Sequence, residues 1–171
     1  MKIVVDVIVL IFLYFLVFYK KWKKLSNYDL FIRTIMYVYI SFVLYFTLMP
    51  IICSIPFMFN HPFKMMNMNL FDDLLNHRGD YIRQIVLNIV MLIPFGIIFP
   101  MIDKKNNFVK TVKWSFITSL VIEMLQTLIS VRSSDITDLI TNVFGAVIGY
   151  LIYLIFKPLI NKIFNKVIIS K

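Results

Sequence analysis

Residues 3–19 read IVVDVIVLIFLYFLVFY, seventeen positions interrupted by a single charge, Asp6. At ~1.5 Å per residue, a helix of that length spans about 25 Å, enough to cross the hydrocarbon core of a bilayer. The flanks matter as much as the run. A secretory signal carries its positive charges ahead of the apolar stretch and small residues behind it. Here Lys20, Lys21, Lys23 and Lys24 follow, gathered around Trp22. The segment therefore reads as a retained transmembrane helix.

Four further apolar blocks extend the pattern, at residues 34–59, 85–102, 112–130 and 136–156. Pro50 and Pro56 remove backbone donors in the far half of the second block, so that span is expected to end or bend near Met49. The third block stops at Pro100. Between the second and third blocks, Leu70-Phe71-Asp72-Asp73-Leu74-Leu75 is predicted to form a short helix lying on the membrane surface, with Gly79 marking its end. After the fifth, Ile160, Ile163, Phe164, Val167 and Ile168 recur at helical spacing with Lys162 and Lys166 opposite, an amphipathic tail. Composition agrees with lipid as the solvent. The chain is 60% hydrophobic and 16% charged, against about 45–50% and ~25% for soluble domains. Cys53 is the one cysteine, which excludes an internal disulfide.

The net charge of +9 does not point to nucleic acid, because its lysines sit just beyond apolar blocks instead of covering one water-facing surface. Alternate loops collect Arg33 and the lysines of 20–24, 104–113 and 157–171 on one side, leaving Lys2, Lys64, Arg78, Arg83 and Arg132 on the other. The positive-inside rule then puts the N-terminus outside and the C-terminus inside. The expected fold is all-α, a polytopic bundle of five transmembrane helices in the cell membrane with a C-terminal amphipathic helix. Its organisation divides into 1–33 (first span and basic loop), 34–156 (main membrane domain) and 157–171 (tail).

Polar residues inside spans are costly and so mark candidate sites. Glu123 and Gln126 lie three apart, on one helical face. They read either as interhelical hydrogen-bonding groups or as a proton carrier or headgroup contact. Asp135 suits the cap of the fifth helix and Asp138 complements its dipole. Asp135, Asp138, Asn142, Gly145 and Gly149 follow steps of three and four, forming one continuous face. Asp80, Gln84 and Asn88 share a face entering the third helix, beside Arg83. Arg83 and Arg132 suit either plain ion pairs with these acids or bidentate capture of phosphate or carboxylate. His61 and His77 lack metal-ligand spacing. No phosphate loop, nucleophile elbow or zinc motif is present, and nothing calls for a cofactor. A hard divalent cation on Glu123, Asp135 and Asp138 is a minority reading.

Taken in order, these segments resemble the VanZ-like family: NLFDDLL at 69–75 with Arg78-Gly79-Asp80, NIVMLIPFG at 88–96, SLVIEMLQ at 119–126, RSSDITDLITN at 132–142 and GAVIG at 145–149. The likeness covers about residues 37–153; the first helix and the tail lie outside it. The resemblance implies a bacterial cell-envelope protein that lowers sensitivity to teicoplanin or related glycopeptide and lipoglycopeptide antibiotics. The expected mechanism is an outward-facing polar cleft of Asp80, Arg83, Gln84, Asn88, Glu123, Gln126, Arg132, Asp135, Asp138 and Asn142. Its expected partners are membrane lipids or a lipid-linked cell-wall precursor. The alternative is a membrane-embedded hydrolase or transferase working through Glu123, Asp135 and Asp138.

Overall fold

A computed structural model describes residues 2–57, 66–77, 79–103, 105–129 and 134–169. Arg78, Arg132, Ser133, His61 and Lys64 lie outside the described residues. The described residues form helices, and their one β-bridge is isolated, between Asn67 and Asp135.

Helix α1, Lys2–Trp22, is α-helical to Leu13, widens into a π-helical stretch at Tyr14–Tyr19 and recovers at Lys20. Where the register changes, Tyr37 reaches across from the next helix and donates its hydroxyl to the Leu10 carbonyl at 2.8 Å. Tyr14 and Thr34 share a hydroxyl bond of 2.9 Å nearby. Helix α2, Asn27–Thr47, starts seven residues before the apolar block itself. Ser26 caps it, accepting from the Asp29 N–H at 3.1 Å while donating to the Asp29 carboxylate at 2.7 Å. The helix ends at Thr47, ahead of a cis Met49–Pro50 bond and a 3₁₀ segment, Ile52–Phe57.

Asp6 explains itself in this arrangement. It is 3% exposed, and its two carboxylate oxygens accept from the Ile51 and Ile52 N–H groups at 2.7 and 2.9 Å. Those amides follow the end of α2 and have no helix carbonyl to take them, so the carboxylate of α1 satisfies donors that lipid could not.

Short helix α3, Asp72–Leu75, leads to α4, Tyr81–Ile102, then α5, Phe108–Ile129, and α6, Ile136–Ile169. Helices α4 and α6 run parallel in the closest contact of the bundle. A Cβ on Gly145 would overlap the Ile89 carbonyl, one on Gly149 the Ile93 carbonyl, and one on Gly96 the Ala146 carbonyl. Glycine is required there because the backbones themselves touch. Leu92, Phe95 and Ala146 form the apolar centre beside this seam, with Tyr39 of α2 packed on it and donating to the Met91 carbonyl at 2.8 Å.

Among the described residues, four helices are long and apolar enough to cross a membrane: α1, the segment containing α2, α4, and α6. Helix α5 equals α4 at 22 residues, but carries Lys110, Lys113 and Glu123, so the fourth expected span is the least apolar. The C-terminal tail follows the last expected span within one helix. Helix α6 continues through Pro158 for 34 residues, about 51 Å, and thus outruns a bilayer core of about 30 Å.

Candidate functional site

The end of α2, the start of α4, the end of α5 and the start of α6 meet at one end of the bundle. Hydrogen bonds fix the directions: Asp6 near the start of α1 binds the turn after α2, and Asn142 of α6 donates to Ser119 of α5 at 2.9 Å. The lysine-rich segments around Lys20–Lys24, Lys105–Lys113 and Lys157–Lys162 fall at the opposite end.

At the shared end lies a recess of about 790 Å³, lined by Gln84, Asn88, Glu123, Gln126, Asp135 and Asp138, with Asp73 and Thr47 added and Phe46, Leu87, Val90, Met91 and Ile122 forming its apolar wall. A volume in this range accommodates a small molecule or a lipid headgroup. Asn88 donates to Asp138 at 2.6 Å, tying α4 to the first turn of α6. Gln126 donates to the Thr47 carbonyl at 3.3 Å, closing one of the orphan carbonyls at the end of α2. Asp135 caps α6, accepting from the Thr137 N–H at 2.7 Å. Glu123 is 3% exposed, and its backbone carbonyl takes the hydroxyls of Thr127 at 3.0 Å and Ser134 at 2.8 Å.

The segment 66–77 forms one rim. Asn67 pairs with the entry to α6 through its N–H to the Ser134 carbonyl, 2.8 Å, and its carbonyl from the Ile136 N–H, 3.0 Å. Phe71 holds a left-handed φ of 57° and donates its N–H to Thr137 at 2.9 Å. A bulky residue in that region is strained, and the anchoring hydroxyl helps hold it. A smaller recess under this rim shares Asp73, Gln84, Asp135 and Asp138 with the main one.

Three expected residues are placed elsewhere. Asp80 and Arg83 are 71% and 74% exposed and face each other at 3.6 Å; neither lines the recess, because their positions on the first turn of α4 turn them to the surface. Asn142 lies deeper, 1% exposed between α5 and α6. Arg132 lies outside the described residues. Among the described residues no group of three or more His, Cys, Asp or Glu is arranged to hold a metal.

Two features escaped the sequence reading. Asp73 lines the recess from the short helix α3, and the segment that carries it is tied to the entry of α6 through the Asn67 bridge, which no local pattern announces. The other was legible: Thr111, Ser115, Ser119, Glu123 and Thr127 recur every four residues along α5 and are all at most 5% exposed. A polar residue at every fourth position is the mark of one buried helical face.

Comparison with known proteins decides the kinship. The family model described as VanZ/LLP1 matches residues 5–157. The chain belongs to the VanZ/LLP1 family. Its matched span takes in α1, all the helices around the recess and most of α6. Protein VanZ of Enterococcus faecium is 27% identical over 121 residues, covering 71% of this chain and 72% of that protein. No solved structure matches the chain. Family membership and the apolar helices together make this a VanZ-like membrane protein.

Proposed function

We propose that this VanZ-like protein sits in the bacterial cell membrane with its N-terminus and the polar recess outside. There it lowers sensitivity to teicoplanin or related glycopeptides by holding an envelope lipid or lipid-linked cell-wall precursor. The observation that carries the reading is the recess itself. It gathers Gln84, Asn88, Glu123, Gln126, Asp135 and Asp138 from three helices at the end away from the lysine clusters, which the positive-inside rule assigns to the outer face. Polar groups converging beside an apolar wall suit an occupant that is itself polar at one end and apolar at the other. The relative from Enterococcus faecium bears the name VanZ, in keeping with the glycopeptide reading.

The test is teicoplanin susceptibility of a sensitive Gram-positive host expressing the wild-type chain, Glu123→Gln, Gln126→Leu or Asp138→Asn, with membrane levels matched by immunoblot. Protection by the wild type and loss of it in the recess variants is the expected result. Equal protection by all four chains would reduce these residues to caps and helix contacts. No protection by any chain would remove the antibiotic role.

A further inference from the structure

Below the polar recess the bundle continues as an apolar groove between α2 and α4. Phe31, Ile35, Val38, Phe42, Pro94 and Ile98 line this open groove of about 510 Å³. The groove and the recess follow on from each other along both helices. Phe46 and Val90 border the recess; Phe42 and Pro94, each one turn further into the bundle, border the groove. The helices are held together behind it by Tyr39, whose ring lines the groove while its hydroxyl is spent on the Met91 carbonyl. Towards the outside the lining is open: Phe42 is 59% exposed and Phe46 is 74% exposed.

We propose that the recess and this groove are one site, which takes a membrane phospholipid laterally from the outer half of the bilayer. The headgroup lies among the polar side chains and one acyl chain lies between α2 and α4. The inference rests on the reading of the recess as a lipid site and adds the route of entry and the place of the chain. A water-soluble ligand would have no use for an apolar groove leading away from its polar contacts. A freely exchanging boundary lipid would have no use for a polar recess at the groove's end. An amphiphile matches both in the order they occur, and the exposed Phe42 and Phe46 leave a side door through which it enters without crossing water.

The experiment uses the full-length protein in nanodiscs of phosphatidylcholine doped with phosphatidylglycerol bearing a photoactivatable diazirine midway along one acyl chain, with labelled peptides located by mass spectrometry. Labelling concentrated on residues 31–42 and 94–98 is expected, above that on lipid-facing positions of α6 such as Leu151. Filling the groove with Val38→Trp or Ile98→Trp lowers it by about tenfold, the factor that corresponds to about 1.4 kcal/mol. Leu151→Trp, on the other side of the bundle, leaves it unchanged. Gln126→Leu, in the recess, also lowers groove labelling if head and chain belong to one molecule. Each variant is first shown to be monodisperse by gel filtration, and having two groove variants guards against one misfolding. Labelling spread evenly around the bundle overturns the proposal, as does groove labelling indifferent to Gln126→Leu. Groove labelling by a chain that gives no teicoplanin protection would sustain this inference and sink the antibiotic role.

Discussion

Replacing Asp6 should loosen one end of α1 by an amount the geometry allows to be worked out. The carboxylate is 3% exposed and accepts two backbone N–H groups, from Ile51 at 2.7 Å and Ile52 at 2.9 Å. In Asp6→Leu both donors lose their acceptor in apolar surroundings. A buried donor left unsatisfied costs about 1–3 kcal/mol, so the pair costs about 2–6 kcal/mol. In Asp6→Asn the side chain keeps one oxygen acceptor and turns an NH₂ towards the other donor, so roughly half the loss is expected. The rest of α1 stays attached, because Tyr37 still donates to the Leu10 carbonyl and Tyr14 still meets Thr34. The opening is therefore local, and Cys53 reports it: the thiol is half-buried and donates to the Lys2 carbonyl at 3.9 Å. Where maleimide labelling is limited by local opening, a loss of about 2 kcal/mol raises its rate about thirtyfold. The assay is the labelling rate of Cys53 in detergent-solubilised protein, with the order wild type, Asn, Leu from slowest to fastest. Equal rates in all three chains would refute the reasoning and reduce Asp6 to a spectator.

The glycine seam is the second point of failure. Gly149→Ala places a methyl group against the Ile93 carbonyl, and overpacking of about 1–3 kcal/mol is expected, read as a smaller monodisperse fraction on gel filtration; Gly79→Ala, where a Cβ meets nothing within 4 Å, should show only the milder strain of its positive φ. The Asn88–Asp138 bond joins α4 to α6 at 2.6 Å. Asn88→Leu should lower the thermal midpoint of the purified protein through about 1–3 kcal/mol of lost pairing, whereas Asp80→Asn, at a surface pair 3.6 Å long, should leave it in place, since exposed pairs contribute about 0–1 kcal/mol.

Much of this architecture is written in local pattern. Apolar runs of seventeen residues or more marked where the helices lie, the period of Gly145 and Gly149 announced a close backbone contact, and Asp135 proved to be the cap its residue type suggests. What local pattern could not supply was pairing across the chain. Asp6 read as an interruption in a hydrophobic run; its purpose depends on amides 45 and 46 residues away. Asp80 shares the helical period of Gln84 and Asn88, yet the start of α4 stands clear of its neighbours, so periodicity placed on one face residues that burial then separated. The start of α2 was hidden for a different reason. Hydropathy marks where a helix enters lipid, and Ser26 with Asp29 caps it a turn or two earlier, among polar residues.

Asn142 remains the residue whose purpose a single substitution cannot decide. It is 1% exposed, its amide nitrogen donates to Ser119 at 2.9 Å, and its Oδ1 has no partner among the described residues. Ser119→Ala alone strands the amide nitrogen as well, at a cost of about 1–3 kcal/mol, while removing both polar groups of a buried pair is nearly neutral. If Asn142 serves only to join α5 to α6, then Ser119→Ala with Asn142→Leu should restore most of the thermal stability lost by Ser119→Ala, and antibiotic protection should return with it. If instead the amide is needed where the buried polar face of α5 approaches Glu123, the double variant should regain its stability and still fail to protect. Thermal unfolding and teicoplanin susceptibility measured on the wild type, Ser119→Ala and the double variant separate the two. A double variant no more stable than Ser119→Ala would show that the pair is not an isolated hydrogen bond, and that the hydroxyl face of α5 holds the bundle together as a unit.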